Sequence, residues 1–211
     1  VVVFGMHLHP ESRPYIMTEG AWETPFGNLY IETEVARQLT ASFDFQVETA
    51  KRHTQDNTIE LQLPFIKYFF KEAKVVPLGL PPVASSLDIG VAVVDIISDL
   101  GLNARVIGST DLTHYGFNYG YTPKGSGPSA VEWVTTDNDR RVVDAMLAMD
   151  PDAVIREGLT HQNACCAGAA ATAVAASKAM GATRAEEVAY ATSYDKHPSD
   201  SFVGYVGLLF S

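Results

Sequence analysis

The apolar positions of the chain fall into short continuous runs that alternate with longer stretches of helical spacing. Val1 to Phe4 is an unbroken apolar run closed by Gly5, which predicts a buried strand with a tight exit. Val75 to Leu78 has the same form and is stopped by Leu80-Pro81-Pro82. Val106 and Ile107 make a third such strand, leaving through Gly108, Ser109 and Thr110. Between them, Glu32 to Leu39 predicts a helix and Phe43 to Val47 a short strand. Leu87, Ile89, Val91, Val94, Ile97 and Leu100 recur at helical spacing, with Gly101 as the C-cap of a helix from Ser86. Thr58 to Ala73 is apolar on nearly every side. It predicts a largely buried helix, or an entry turn followed by a helix restarted at Pro64.

The second half repeats the alternation. Asp137 to Met149 and Asp152 to Glu157 read as helices, and Gln162 to Cys166 opens an alanine-built helix, Ala167 to Met180. Small side chains let such a helix pack closely on a sheet. Val188 to Thr192 and Phe202 to Phe210 read as closing strands joined by a polar turn containing His197, which predicts antiparallel pairing at one edge. Two segments carry breakers instead of periodicity: the stretch to Gly27, with Pro14, Gly20 and Pro25, and Gly116 to Ala130. Strand–helix alternation over most of the length implies an α/β sandwich, with a mainly parallel or mixed central sheet and helices on both faces. At 211 residues and 46% hydrophobic, one domain spanning residues 1–211 accounts for the chain.

Charge narrows the partners. The formal net charge is −10, which argues against a nucleic-acid partner. No apolar run approaches the roughly 20 residues of a membrane span, and no signal peptide is visible. Val1 in place of an initiator methionine suggests that the sequence starts inside a longer chain. The only cysteines are the adjacent Cys165 and Cys166. Without framework spacing they suit a reducing cytosol, so the expected location is cytoplasmic. No phosphate-binding glycine loop is present, which excludes a nucleotide cofactor from the expectation.

Candidate chemistry gathers at predicted strand ends. Asp111 and His114 follow the Val106–Ile107 strand at once, while His7 and His9 follow the first strand. Ligand sites in open α/β sheets form at such ends. His53, Asp56 and Asn57 lie in a polar cluster just before the Thr58 helix. Cys165 and Cys166 open the alanine helix, where the helix dipole lowers a thiol pKa. Imidazole, carboxylate and thiolate from separate loops make a transition-metal donor set. With His161 or His114 nearby, a cysteine nucleophile is the second chemical reading. Each residue also suits an ordinary role. Asp111 can close a turn, Asp56 or Asn57 can cap a helix, His114 can be a surface histidine, and cysteines in an alanine helix commonly just pack.

Several segments, taken in order, resemble the Memo family, the protein-B component of the AmmeMemoRadiSam system. That family is similar in fold to the class III extradiol, LigB-type, ring-cleaving dioxygenases. Val1 to His7 (VVVFGMH) resembles the family's apolar strand followed by Gly-Pro-Ser-His, and Trp22 to Leu29 (WETPFGNL) is similar to its Thr-Pro-Leu-Gly segment. His53 to Phe65 (HTQDNTIELQLPF) resembles His-x-x-Glu-His-Ser-x-Glu-x-Gln-Leu-Pro-Phe, with Asp56 and Asn57 in place of Glu-His. Ser109 to Tyr115 (STDLTHY) resembles Ser-Ser-Asp-x-x-His-Tyr, and Ser201 to Phe210 resembles the closing strand. Cys166 falls where the family has a cysteine before a glycine and an apolar helix. A further family histidine, in a Pro-His-Ala-Gly segment, has no counterpart within the 211 residues.

The resemblance implies a LigB-like fold and a metal-site-like pocket. It assigns His7, Cys166 and His114 as metal ligands, His114 and Asp111 as the catalytic pair, and His9, His53, Asp56, Asn57 and Cys165 as pocket residues. It implies iron(II), or copper or zinc, in a non-haem oxidoreductase acting on a small molecule. The alternative is a catalytically degenerate binding or assembly subunit of the same fold with a protein partner, in which Tyr115 to Tyr121 is a contact surface. A homo-oligomer is expected in either case.

Overall fold

The computed structural model describes residues 1–49 and 51–211. At its centre is a five-stranded sheet in the order β5-β2-β6-β1-β7. These strands are β1 (Val2–Gly5), β2 (Tyr15–Met17), β5 (Gln46–Glu48), β6 (Val76–Gly79) and β7 (Val106–Gly108). Both neighbours of β1 are parallel to it, Val2 lying opposite Val76 on one side and Val106 on the other. All three strands therefore end at one rim, at Gly5, Gly79 and Gly108. β2 runs antiparallel to β6 and parallel to β5, so the sheet is mixed. The four residues of β1 are fully buried, as expected for an apolar run covered on both faces.

The closing strands do pair antiparallel, β9 (Ala185–Thr192) with β10 (Phe202–Phe210). The expectation that they form an edge of the main sheet is corrected. Together with β8 (His114–Tyr115) they make a separate three-stranded sheet in the order β8-β10-β9. β8 is two residues long, too short for any periodic signal. The breaker-rich segment before Gly27 also holds more structure than its turn residues imply. It contains β2 and a hairpin, β3 (Ala21–Thr24) against β4 (Gly27–Tyr30).

Helix α8 (Ala167–Ala179) packs on β1 and β7 of the main sheet, has helices against its other sides, and is buried continuously from Ala167 to Ser177. Ala169, Ala173 and Ala176 join the core of the main sheet with α1 (Thr33–Ser42) and α4 (Ala84–Asp99). Ala170, Ala171 and Val174 join a second core with α6 (Asp139–Leu147) and α7 (Pro151–His161). A helix buried on two sides leaves room only for small side chains. At Gly168 a Cβ would stand 2.4 Å from the carbonyl oxygens of Leu80 and Pro81. Backbone cannot rotate out of the way, so Gly168→Ala is expected to cost about 2–3 kcal/mol, read as a lowered urea midpoint at unchanged slope.

The stretch from Thr58 is interrupted as its proline suggests, into α2 (Asn57–Glu60) and α3 (Leu63–Phe69), with Pro64 in the first turn of α3. Its expected burial is corrected. Ile59, Leu63 and Ile66 turn inward at helical spacing, whereas Leu61, Phe65, Tyr68 and Phe69 are exposed, Phe65 by 64% and Phe69 by 68%. Two helical turns can aim only one stripe at the sheet, so the remaining apolar residues face outward.

Candidate metal centre at the strand ends

Two loops leave the common rim of the main sheet and meet the start of α8, which a third loop enters from α7. The first follows β1 through Met6, a buried residue with φ 73°, a region that non-glycine residues enter at a cost. The turn is held because the Met6 N–H donates to Thr58 Oγ1 at 2.8 Å and the His7 N–H donates to Asp56 Oδ2 at 3.0 Å. His7 Nδ1 meets the same Oδ2 at 2.9 Å. Asp56 Oδ1 accepts from the Thr58 N–H at 2.9 Å as the N-cap of α2. Asp56 thus caps a helix, as one sequence alternative has it, and also anchors His7. With Nδ1 committed to the carboxylate, Nε2 is the ring nitrogen left for another partner.

The second loop follows β7. The Cys166 N–H donates to Thr110 Oγ1 at 2.9 Å, the Cys165 N–H to the Asp111 carbonyl at 3.1 Å, and the Asp111 N–H to Cys165 Sγ at 3.2 Å. These bonds zip the loop to the N-terminus of α8, where Cys166 is the N-cap. Asp111 Oδ2 stands 3.3 Å from His114 Nε2. The third loop, from α7 into α8, turns at Gln162, which has φ 50°.

Among the described residues two groups of donor atoms result, each with its atoms within 4.8 Å of one another: His7, Cys165 and Cys166, and Asp111, His114 and Cys165. Cys165 belongs to both. It is half-buried beside a cleft of about 380 Å3 that His9, His114 and Tyr119 help to line, while Cys166 lies behind it at 2% exposure. The sulfurs are 3.7 Å apart.

The electrostatics follow from these contacts. The Asp56 carboxylate, then the Cys165 sulfur, pushes His7 up to about 10. Asp111, then Cys165, pushes His114 up to about 9. Cys165 is pulled well below an ordinary thiol by the Cys166 S–H and then by the two imidazoles, against the effect of burial. Cys166 is pushed up by its neighbour sulfur and by burial. For Asp56 burial works upward, but the hydrogen bonds from His7 and Thr58 outweigh it and the carboxyl is held low. With no metal bound, these contacts favour the thiolate form of Cys165 and the protonated forms of His7 and His114.

A pH dependence follows for the metal-free chain. The raised imidazoles contribute stability that is complete below the ordinary 6.5 and lost as pH rises through about 9 and about 10. The depressed Cys165 thiol acts oppositely, contributing above the ordinary thiol value of 9.0. On the alkaline side two imidazoles and the raised Cys166 thiol hold extra protons where Cys165 alone has lost one, so the net is loss of stability there. The melting temperature is expected to fall between pH 6.5 and 10, and to fall less in Asp56→Asn. A wild-type melting temperature that rises over that interval contradicts this.

The sequence-derived residues divide clearly. His7, Asp56, Asp111, His114, Cys165 and Cys166 are brought together. His9 is at the cleft wall, exposed. His53 is drawn away, its ring edge-on to Trp22 at 5.3 Å, and Asn57 is exposed at the start of α2. His161 sits at the end of α7, 3.8 Å from Glu157, outside both donor groups. In the Tyr115–Tyr121 segment, Tyr115 is buried, while Phe117 and Tyr119 are exposed. Sequence reading missed Thr110, Thr58 and a buried polar scaffold behind His114. There Asp139 Oδ1 accepts from the Thr113 N–H at 3.0 Å and from its hydroxyl at 2.5 Å, and Asp139 Oδ2 accepts from the Tyr190 hydroxyl at 2.8 Å. Asn138 Nδ2 donates to Thr113 Oγ1 at 2.9 Å, at the end of a π-helical turn, Val134–Asn138, that joins α5 (Pro128–Trp133) to α6. The one signal was the register of Thr113 beside His114, which has no meaning until its partner is known.

An α/β sheet with a histidine–cysteine–carboxylate cluster at its strand ends defines the class, and sequence comparison supplies the family. Residues 1–209 match the Memo-like protein family, and the chain belongs to it. It is 31% identical over 202 residues to a MEMO1 family protein of Pyrococcus furiosus, covering 92% of this chain and 69% of that one. It is 33% identical over 217 residues to one from Methanopyrus kandleri, covering 100% and 71%. A Methanothermobacter thermautotrophicus relative is 32% identical over 213 residues, covering 99% and 72%. Among the described residues no helix is long and apolar enough to cross a membrane.

Proposed function

We propose that the chain binds a first-row transition-metal ion, iron(II), copper or zinc, at the strand-end cleft and, with iron or copper bound, works as a metal-dependent redox enzyme on a small molecule. The observation that carries this is the sharing of Cys165 between two donor groups of mixed softness. Thiolate and imidazole suit iron, copper and zinc, and the set is unlike the all-oxygen cages of magnesium or calcium. A second observation fits the same reading. Metal-bound histidines commonly give their other ring N–H to a carboxylate, the relation of His7 Nδ1 to Asp56.

His7, Cys165 and Cys166 are the residues to hold the ion, which leaves His114, engaged by Asp111, for proton transfer. A bound ion of this kind supplies a place for oxygen or a bidentate substrate and the electrons or polarisation for its reaction. The protein's own residues do the rest. Asp111 orients His114 through Nε2 and keeps its proton available, so that His114 serves as acid and base toward a group in the cleft. Leu8, Leu159 and Tyr121 give that cleft apolar and aromatic wall for a small organic molecule. Metal analysis of protein purified without added metal tests the proposal. Near-stoichiometric iron, copper or zinc, or tight binding on reconstitution, is expected. Trace content together with no binding on reconstitution removes it.

A second reading, a binding or assembly subunit, is favoured by the outward apolar face of α3, where Phe26, Tyr68 and Phe69 touch in series at 5.0 Å centroid spacing. A second copy of this chain is the partner that reading commits to. A dimer by light scattering that Phe65→Asp and Phe69→Asp convert to monomer supports it, and a monomer throughout ends it.

A further inference from the structure

The vicinal sulfurs have a use that needs no metal. Cys165 Sγ faces the cleft and Cys166 Sγ lies 3.7 Å behind it, buried, with no access of its own. Disulfide formation requires the sulfurs to close to about 2.05 Å, which between adjacent residues takes side-chain rotation together with adjustment of the peptide unit that joins them. Neighbouring Cα atoms are only about 3.8 Å apart, below the usual range for a disulfide, so the bond is strained and readily reduced. An accessible sulfur with a shielded one at its back is the arrangement of an oxidisable cysteine and its resolving partner.

We propose that Cys165 and Cys166 form a reversible vicinal-disulfide switch that consumes hydrogen peroxide. The Cys165 sulfur attacks one peroxide oxygen, the O–O bond breaks, and one water leaves, giving the Cys165 sulfenic acid. The Cys166 sulfur then attacks Cys165, the S–O bond breaks, and a second water leaves with the Cys166 proton. Two thiols lose two electrons and peroxide gains them. A small dithiol or a thioredoxin-type reductant returns both thiols. Closing the bond removes both sulfurs from the group they share with His7 in one event.

Every expected product lies in one tryptic peptide, Glu157 to Lys178, bounded by Arg156 and Lys178 and holding both cysteines. The protein as purified is treated with hydrogen peroxide, a chelator being present so that free metal takes no part, and the peptide is weighed. The expected wild-type product is lighter by about 2 Da, within a single chain, and dithiothreitol restores the mass. Cys166→Ser is expected to give instead a dimedone-reactive sulfenic acid that passes to the dioxidised form about tenfold faster than wild type does. Wild type that proceeds directly to the dioxidised form at the rate of Cys166→Ser overturns the proposal, as does a disulfide found only between chains. Should Cys166→Ser fail to fold, the mass of the wild-type peptide decides alone.

Discussion

Replacing Cys165 by serine is expected to weaken transition-metal binding at least about 100-fold, more than any other single change in the cluster. Cys165 is the one donor common to both groups, so its removal leaves His7 with Cys166 on one side and Asp111 with His114 on the other. A hydroxyl is a far harder and less acidic donor than a thiol already held as thiolate. Cys166→Ser removes a donor from one group only and is expected to cost less, about tenfold, and Asp56→Asn to cost about 10- to 100-fold through loss of the His7 anchor. Competition titration against a chromophoric chelator measures all three, with the order Cys165 above Cys166 as the discriminating result. The opposite order would make Cys166 the principal sulfur ligand, as the family motif alone suggests.

The largest effect on stability is expected behind the site. Asp139 is fully buried and satisfies three donors: the Thr113 N–H, the Thr113 hydroxyl and the Tyr190 hydroxyl. Burial pushes its carboxyl up, so holding it there costs free energy that the three bonds offset. A Cβ at Gly204 would come within 2.0 Å of Asp139 Oδ2, so β10 leaves the space that the carboxylate fills. Asp139→Ala strands all three donors and opens a cavity. Its expected cost is about 3–4 kcal/mol, or a fall of about 6–16 °C in melting temperature. Because Thr113 precedes His114, the same change is expected to loosen His114, visible as broadened imidazole resonances. Asp139→Asn keeps the shape and one acceptor and is expected to recover about half the loss. A melting temperature within 2 °C of wild type for Asp139→Ala would show that the scaffold contributes little.

What was legible in the sequence divides along physical lines. Strands β1, β6 and β7 are continuous apolar runs with glycine exits, and covered parallel strands write that pattern directly. The alanine content of α8 announced close packing, and the structure explains it by two cores meeting on one helix. The second sheet stayed hidden because β8 is two residues long and joins β10 across nearly ninety residues of chain. The exposure of Phe65 and Phe69 was illegible for a different reason. Hydrophobicity reports what a side chain prefers, not which faces the fold covers.

Within the site, the strand-end rule located His7, Asp111 and His114, and the family motif pointed to a cysteine at the start of α8. It did not show which of two adjacent sulfurs would stand between the histidines, since neighbouring side chains diverge at a helix N-cap and only the local backbone decides. Asp56 illustrates the reverse. Sequence offered it as a cap or as a pocket residue, and one carboxylate does the capping with Oδ1 and holds His7 with Oδ2. His53 has the right chemistry, but its loop carries it to Trp22.

X-ray absorption at the zinc edge of the zinc-reconstituted chain, with Cys165→Ser beside it, addresses the role of Cys165 most directly. Wild type is expected to show sulfur in the first shell at about 2.3 Å with imidazole nitrogen at about 2.0 Å, and the variant to lose a sulfur. A first shell of oxygen and nitrogen alone, identical in both proteins, would contradict a metal centre built on Cys165.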